Sequence, residues 1–578
     1  MSPKTVQFSD FSGGLNRTAA RQRMKDSQLY MNENAQSIGP GQLQTLGPPN
    51  TSITTIAQGI ATFHDAGLKL AGAEVRRIIT VNQDGSMSSV DPQTGATVAI
   101  CGAGTVTTKA RFTVWNDTPL LIVDPTHGYF SWDGTTFLSY PHVFTGDTHT
   151  TAVVTNIGST AGFMPGMHVA GAGVPVGTTI LSVDSPTQIT LTAPTTSTVV
   201  GDSLTIGLGA PTSASDIQVF EGRACLLTGP RLITATAPGS FTDFQTADGA
   251  VNIPILDSIF SGAITRLLSA LELLWIVGPS AVNAVSNLQT GGTPLATTFS
   301  NTNIVANVGS ILPSSVEAFF RTFIFLAPYG VYAIVGATPQ KLSDDLDGLF
   351  SAFLSFGTDQ PAAVFTVNQV FCWGVLVTYK DPVLGSRPVV LVFARNAWFL
   401  ASQGLTSMSL TWVSGVLHDH PELGKIPHLW GTDGTHLFEC FEGDGAEFHQ
   451  IQFKLWDFGQ FTTRKQMTKL AVEFSSNEPI TTTVSAETES ASIATSITAQ
   501  GNRLRFIGAG GVPIQFIGAG AQPLNFVSGG VQIAWGSIDG VAGNYLSVKV
   551  AGTSQPFTLS ALAMEIDPMG EWTIGPVS

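Results

Sequence analysis

Charge is scarce in this sequence. Only 12% of its 578 residues are charged, about half the share found in an ordinary soluble domain. The 41 acidic residues outnumber the 26 basic ones, which gives a net charge of −15. Because an isolated chain needs surface charge to stay soluble, so little charge favours a subunit of an assembly. The apolar share of 43% excludes an acidic disordered protein.

Long apolar runs and a leader segment are also missing. The most apolar windows, residues 267–277 and 389–392, are far shorter than the ~18 residues that span a bilayer. The first ten residues, MSPKTVQFSD, lack the apolar stretch of a signal peptide. We therefore expect no membrane span, and we expect synthesis in a reducing cytoplasm.

Cysteine is rare and widely spaced. The four cysteines are separated by 124, 147 and 68 positions, which fits neither a CxxC metal site nor a dense disulfide framework. Each is flanked by apolar or small residues, so we expect buried free thiols. The cysteines are Cys101, Cys225, Cys372 and Cys440.

Catalytic and nucleotide-binding motifs are missing as well. The sequence contains no phosphate-binding GxxxxGK[ST] loop, no GxSxG nucleophile elbow and no HExxH zinc motif. The densest metal-like segment, His418–Glu422, offers two histidines at i and i+2 but no third ligand. Asp344–Gly348 begins like a calcium loop, yet its twelfth position is Ser355 instead of glutamate. We interpret both segments as polar loops.

Four aspartates that precede glycine are the remaining candidates for acid chemistry. An Asp-Gly pair is typical of a hairpin turn, so we assign these aspartates to turns. They are Asp84, Asp133, Asp433 and Asp444. The sequence therefore predicts no catalytic, cofactor-binding or metal-ligating residue, and the chain is not expected to be an enzyme.

What the sequence does contain is β structure. Runs of four to seven β-branched or aromatic residues end repeatedly in Gly, Pro, Asn or Asp, which is the pattern of short strands joined by turns. The best candidate helix is Asp26–Ser37, where Leu29, Tyr30 and Asn34 would share one face. The predicted fold class is all-β.

A loose repeat of strand, tight turn and strand recurs along the chain. Radial repetition of such units forms a β-propeller, and six units predict about six blades, although a double sandwich with long loops gives a similar pattern. The units are Arg111–Phe137, Ile217–Phe244, Leu267–Phe299, Glu317–Leu346, Val364–Leu400 and Leu410–Glu442.

Changes in composition predict the domain boundaries. We assign residues 1–60 to an N-terminal docking arm, and 61–145 with 209–461 to the propeller. Residues 146–208 are rich in Thr, Val and Gly and form an inserted β-sandwich-like domain, with a hairpin around Asp184–Pro186 and a role in spacing or decoration. Residues 462–578 form a C-terminal β-domain.

The N-terminal arm carries the one basic stretch. Five of the 26 basic residues fall within the first 25 positions, against one acid, Asp10. A solvated tail is one interpretation, and docking onto an acidic partner surface is the functional alternative; nucleic acid fits less well with the net charge. The candidate docking residues are Arg17, Arg21, Arg23 and Lys25.

The C-terminal domain contains a decapeptide repeat, in which Phe506, Phe516 and Phe526 occupy equivalent positions. Gly, Ala and Pro turns separate these positions, so three short strands are predicted. The rings either belong to a domain core or form a subunit contact or constriction.

Both ends of the chain carry familiar strings. Residues 8–16 read FSDFSGGLN, 31–35 read MNENA and 41–43 read GQL; near the other end, 543–550 read GNYLSVKV, 556–560 read PFTLS, and Glu571-Trp572 follow. These strings resemble the tail nozzle, or tail hub, proteins of short-tailed bacteriophages. The resemblance covers roughly the first 45 and the last 35 residues by motif, and the rest only by repeat texture.

The resemblance implies a β-propeller with added β-domains, a helical turn near Asn34, and a ring of usually six chains below the portal and its adaptor. It also implies contacts with tail fibre or spike proteins, passage of double-stranded DNA, and a place in the virion tail after synthesis in the bacterial cytoplasm. Six chains would carry a net charge of −90. An acidic lumen repels phosphates and lets DNA slide, whereas a basic lumen would bind it.

Two alternatives use the propeller differently. A carbohydrate-binding tail or surface protein would expose aromatic residues, and a propeller glycosidase would line its cleft with two carboxylates. The tryptophans, however, lie inside apolar strands, which favours a place in the core. They are Trp373, Trp398, Trp412 and Trp430.

Overall fold

The computed structural model describes residues 4–571 except 40, 71, 403–408, 421–423, 444, 500–502, 505, 508–512, 515, 518–522, 525 and 528–531. Within these residues the all-β prediction is confirmed, since the helical elements are short: the α-helix Asp347–Ala352 and the 3-10 turns Arg21–Arg23, Thr246–Asp248, Pro313–Ser315 and Asp344–Leu346. No described helix is long and apolar enough to cross a membrane.

Seven antiparallel blades in the described part of the chain form a β-propeller; six are separate four-stranded sheets, and blade 6 is part of an eleven-stranded sheet that continues into the neighbouring sandwich. The first strands of consecutive blades contact one another from blade 1 to blade 7, and blade 7 contacts blade 1, which closes the ring. Blade 1 contains Ile60–Leu70, Ala73–Asn82, Met87–Val90 and Thr97–Cys101; blade 2 contains Arg111–Val114, Leu120–Asp124, Gly128–Trp132 and Phe137–Tyr140. Blade 3 contains Ile217–Phe220, Arg223–Gly229, Leu232–Ala235 and Val251–Pro254; blade 4 contains Arg266–Ala270, Leu273–Val277, Ala281–Gly291 and Ala296–Ala306; blade 5 contains Glu317–Phe319, Thr322–Ala327, Gly330–Val335 and Thr338–Lys341. Blade 6 contains Ala362–Val367, Val370–Asp381, Gly385–Ala394 and Ala397–Ala401; blade 7 contains Trp412–His420, Gly424–Thr432, His436–Glu439 and Thr54–Thr55.

The blade that the sequence repeat missed is blade 1. Its two long strands carry charged residues, notably Asp65, Glu74 and Arg76, which interrupt the run of apolar residues. Asp65 and Arg76 form an ion pair and are partly exposed, and Glu74 is exposed. The outer strand of blade 7, Thr54–Thr55, comes from the N-terminal side of the chain and pairs with His436–Glu439. Blade 6 has one further short strand, Leu354–Ser355.

The inserted domain follows blade 2 and consists of two three-stranded sheets. The predicted hairpin is confirmed, because Ile180–Ser185 pairs with Gln188–Leu191. The insert shares one hydrophobic core with its neighbours: Phe163 of the insert belongs to the same cluster as Tyr129 of blade 2 and Phe244 beside blade 3. The sheets are His142–His149 with Thr198–Ile206 and Val169–Gly171, and Val153–Val154 with Gln188–Leu191 and Ile180–Ser185.

A β-sandwich packs beside the propeller and is built from both ends of the chain. Its core includes Phe453, Met467 and Leu562. One sheet contains Lys4–Phe8, Ala35–Gly39, Gln42–Thr45, Thr463–Ser475, Gln532–Gly543 and Thr558–Glu571; the other contains Gln28–Glu33, Glu447–Phe453, Ile480–Glu487, Ser492–Ala499 and Ser547–Ser554, with Gly14–Leu15 beside Gln28–Glu33.

The helix predicted for Asp26–Ser37 is wrong, and so is the helical turn that the resemblance implied. The segment forms the strands Gln28–Glu33 and Ala35–Gly39, which belong to different sheets of the sandwich. Asn34 joins them with a φ of +54°. Residues on both faces of Gln28–Glu33 are buried, whereas a surface helix buries only one stripe, so packing overrides the local pattern.

Other predictions about buried and turn residues can be compared with the structure. The four tryptophans are confirmed as core residues, at 0–7% exposure. All four thiols are free and three are buried, while Cys101 is half-buried. The turn role is confirmed for Asp84, Asp133 and Asp433, whose carboxylates accept backbone N–H bonds two residues ahead. Asp444 lies outside the described residues.

Candidate functional site: propeller channel and domain junction

The propeller channel opens into a cavity of about 680 Å³. First strands and the loops that precede them supply its walls, from blade 1 with His64 through blade 2 with Arg111 to blade 7 with Trp412. Arg266 of blade 4 lies deeper, beside His64 and Arg111. A chain with little charge therefore concentrates ionisable groups at the centre of its ring of blades.

The two arginines of the channel form ion pairs with aspartates. Arg266 pairs with Asp216 at 2.9 Å, and Asp216 also accepts the backbone N–H of Leu267. Arg111 donates to Asp359, at 3.4 Å, and to the Ser314 hydroxyl. Each aspartate is thus held by a guanidinium and by backbone or hydroxyl donors.

Glu317, in the first strand of blade 5, forms no such ion pair within the described part of the chain. Its carboxylate accepts no hydrogen bond from any residue that the structure describes. Burial raises the pKa of Glu317 to about 7, although the Arg266 and Arg111 charges act in the opposite direction. Burial lowers the pKa of His64 to about 3, and the same two arginines add to that effect. Two ionisable side chains with pKa values moved by burial, His64 and Glu317, therefore lie near the same two arginines.

Sequence reasoning did not single out these channel residues. They come from different blades and share no motif, so spacing along the chain cannot join them. The available signal was weak: in a charge-poor sequence, Arg111, Arg266 and Glu317 each stand at the start of an apolar strand. A glycosidase needs two carboxylates facing the sugar, and Asp216 and Asp359 are already engaged.

The junction between propeller and sandwich is centred on a buried ion pair. Glu33 is fully buried and accepts two bonds from Arg387 of blade 6, at 2.5 and 2.7 Å. Ser402 donates to the same carboxylate. The strand that carries Glu33 runs parallel to the outer strand of blade 6, with Glu33 opposite Leu400, so the blade continues into the sandwich.

Asn34 completes this junction. Its amide donates to the Ser402 hydroxyl at 2.9 Å and to the Phe448 carbonyl at 2.8 Å, and its oxygen accepts the Ser402 N–H. Its own backbone N–H donates to Leu400. The positive φ of Asn34, which asparagine tolerates better than most residues, directs the chain from one sheet into the other.

The FSDFSGGLN string lies against the same interface. Gly14 has a φ of +64°, and a Cβ there would approach the Ala397 side chain to 2.8 Å, so only glycine fits. Asn16 is buried and donates to Gln28 and to Asp345, at 3.0 and 2.9 Å. The string therefore connects the sandwich to the connection between blades 5 and 6.

Two of the four predicted docking residues are used within the chain. The Arg17 guanidinium lies over the Tyr30 ring at 4.2 Å, and Arg21 pairs with Glu487 at 2.5 Å. Arg23 and Lys25 are exposed, and no ion pair of either side chain occurs among the described residues. The structure does not bring all four together on one open face.

The decapeptide repeat forms three separate ladders of two-residue strands. Phe506 stands opposite Ile514, Phe516 opposite Leu524, and Phe526 opposite Leu504. The repeat therefore contains six two-residue strands in three pairs instead of the three strands predicted, and in the chain it lies between the sandwich strands Ser492–Ala499 and Gln532–Gly543.

The polar loops predicted for the two metal-like segments are wrong for the described residues. His418 and His420 belong to the strand Trp412–His420, residues 421–423 lie outside the described part, and Asp344–Gly348 forms a 3-10 turn and the start of the helix Asp347–Ala352. Asp344 and Asp347 both contact Lys341, the first at 3.6 Å.

No family model matches the chain, and no curated protein matches it. Among solved structures, it is similar to BBS1N in complex with ARL6DN, at 10% identity over 68% of this chain and 98% of that chain, with a TM-score of 0.34. It is also similar to the β-propeller domain of Cps50 (Swd1) from Myceliophteria thermophila, at 11% identity over 68% and 99% of the two chains, with a TM-score of 0.28. The propeller assignment rests on the strand order given above.

Proposed function

We propose that the chain is a non-enzymatic ring subunit, the tail nozzle of a short-tailed bacteriophage, which conducts DNA from the head and opens or closes the channel during ejection. One observation carries the proposal. The strings that resemble tail nozzle proteins lie at opposite ends of the sequence, yet they fold together: Lys4–Phe8 and Gln42–Thr45 both pair with Thr558–Glu571. The resemblance thus describes one structural unit.

Exposed apolar side chains at turn tips support a role in assembly. Val383 is 88% exposed and Tyr329 is 81% exposed. Each lies in the turn between the second and third strands of its blade, in blades 6 and 5, so both are on one face of the propeller. Exposed apolar side chains on one face of two neighbouring blades favour burial against another chain.

The channel of the single propeller does not suit DNA. Arg111 and Arg266 link its walls by pairing with Asp359 and Asp216, so charged side chains fill the space between the blades. DNA would instead pass through the lumen between six chains, whose net charge favours sliding. The adaptor or portal ring and the tail fibres or spikes are the partners of this proposal, with Arg23 and Lys25 as the docking cations that stay exposed.

Native mass spectrometry and negative-stain microscopy of the full chain test the proposal. We expect a closed ring of about 364 kDa, six chains of 60.7 kDa, with a hole about 20–30 Å wide, as duplex DNA requires. The substitutions Tyr329→Asp and Val383→Asp should reduce ring formation, whereas Gln93→Asp, which adds the same charge at an exposed turn of blade 1, should not. A stable monomer both alone and in virion-derived material would contradict the proposal.

A further inference from the structure

We propose that His168, Asp243 and Asp248 bind one divalent transition-metal ion, of the Zn²⁺ class, that fastens the inserted domain to blade 3. One ligand atom from each of these residues lies within 4.8 Å of those of the other two. His168 belongs to the insert, directly before the strand Val169–Gly171. Asp243 and Asp248 belong to the connection between the third and fourth strands of blade 3.

Two buried atoms of this cluster have no partner. His168 is 2% exposed, and its Nδ1 makes no hydrogen bond; the Asp248 Oδ2 is likewise buried and unpartnered. His168 Nδ1 lies 4.0 Å from Asp243 Oδ1, and His168 Nε2 lies 3.6 Å from Asp248 Oδ2, both too far for direct hydrogen bonds. Because a buried polar atom without a partner is destabilising, a ligand between these groups is favoured.

The distances fit a metal ion. Zinc binds nitrogen and carboxylate oxygen at about 2.0–2.2 Å, which places ligand atoms about 3.3–3.6 Å apart in a tetrahedral site. One ligand atom of each residue lies within 4.8 Å of the other two, so ligation through a single ring nitrogen needs these atoms to close by up to about 1.5 Å. One imidazole and two carboxylates also neutralise a divalent charge, and three protein ligands leave a fourth position open.

The surroundings hold the ligands in place. Thr242 accepts the backbone N–H of His168 at 2.9 Å, and Asp243 accepts the backbone N–H of Gln245 at 2.9 Å. A Cβ at Gly177 would lie 3.1 Å from the Asp248 carboxylate, so glycine leaves that group its room. Outer contacts of this kind orient the ligands of metal sites.

Calorimetric titration of the metal-free full chain with Zn²⁺ tests the site. We expect one Zn²⁺ per chain at this site, bound at least tenfold more weakly by His168→Gln and by Asp248→Asn. His149→Gln is the matched control, because His149 is an exposed histidine of the same domain whose side chain hydrogen-bonds to Thr155 and lies outside the proposed site. This control should bind like the parent, and Zn²⁺ should raise the melting temperature of the parent but not of His168→Gln.

Equal Zn²⁺ binding by the parent and both ligand variants would overturn the proposal, because surface histidines would then account for it. A second readout does not depend on variants that fold poorly. The parent chain loaded with Co²⁺ should show visible d–d absorption that excess Zn²⁺ removes, and an unchanged spectrum would also overturn the proposal.

Discussion

Glu33 and Glu317 are both glutamates beside arginines, but the chain treats them differently. Glu33, at the junction with the sandwich, is fully buried and receives both guanidinium nitrogens of Arg387. Glu317, in the channel, lies near Arg111 and Arg266, which are already bound to Asp359 and Asp216. Arg387 also reaches Asp381, at 3.3 Å, yet it donates both terminal nitrogens to Glu33, whereas Arg111 and Arg266 make no hydrogen bond to Glu317 among the described residues.

Glu33 therefore has a structural role, whereas Glu317 is a group whose charge can change. A bidentate buried pair with further hydrogen bonds fixes two domains in one orientation. A glutamate with a pKa raised to about 7 changes its charge in the range where most proteins work. Substitutions at the two sites should therefore change different quantities.

The largest effect should follow from Arg387→Met. It leaves the Glu33 carboxylate buried without its partner, and loss of one member of a buried pair costs about 3–5 kcal/mol. Urea unfolding followed by circular dichroism measures this loss, and the double variant with Glu33→Gln should recover part of it. Lys425→Met, which removes an exposed pair with Glu74, is the control and should change little. An equally small loss for Arg387→Met would remove the distinction between the two glutamates.

Substitutions of Asn34 separate the contribution of its side-chain bonds at the junction from that of its positive φ. Asn34→Gly keeps the positive φ but removes the side-chain bonds that Asn34 makes with the Ser402 N–H and the Phe448 carbonyl, each of which contributes about 0.5–1.5 kcal/mol. Asn34→Ala should cost about 1 kcal/mol more, since alanine resists a left-handed backbone. The difference between the two unfolding free energies isolates the backbone share. If alanine proves no worse than glycine, the φ of +54° is not a constraint there.

Glu317 should appear in the pH dependence of stability. Its pKa is about 7 in the folded chain against an ordinary 4.5, so the folded state holds the proton more tightly and the parent loses stability as the pH rises from 4.5 to 7. Glu317→Gln should remove about 1–3 kcal/mol of that loss. Parallel unfolding curves at pH 5 and pH 8 measure the difference, and Glu272→Gln, at an exposed turn, is the control. Identical curves for parent and Glu317→Gln would show that the channel solvates this carboxylate.

Much of the fold could be predicted from local pattern, because strands and turns are short-range features. The hairpin at Ile180–Leu191 and the buried tryptophans follow from alternation and apolar runs. The failures have physical reasons. Blade 1 was missed because charges interrupt its strands, and Gln28–Glu33 was misread because a strand buried on both faces carries no alternation.

The sites could not be predicted, because they join distant segments. His168 and Asp243 lie on different domains, and Arg111, Arg266 and Glu317 stand in three blades. Such groups meet only when the ring closes, and no spacing rule records that closure. The N-terminal strings were recognised by resemblance, yet their structural role at the junction is visible only when Ala397 and Asp345 lie beside them.

The smallest effect on stability should come from substitutions in the decapeptide repeat. Phe506, Phe516 and Phe526 lie in three separate two-residue ladders outside the sandwich sheets, so each change to alanine should cost less than about 1 kcal/mol in the full chain. Phe474→Ala is the matched control, since Phe474 is a buried core residue of the sandwich and should cost about 3–5 kcal/mol. The full chain is required because strands from both ends build that sandwich. Thermal unfolding and native mass spectrometry together decide between a core and a contact: unchanged stability with weakened rings supports a subunit contact, and a loss as large as that of Phe474→Ala places the rings in a core. If all three variants keep both the stability and the ring formation of the parent, both roles are contradicted.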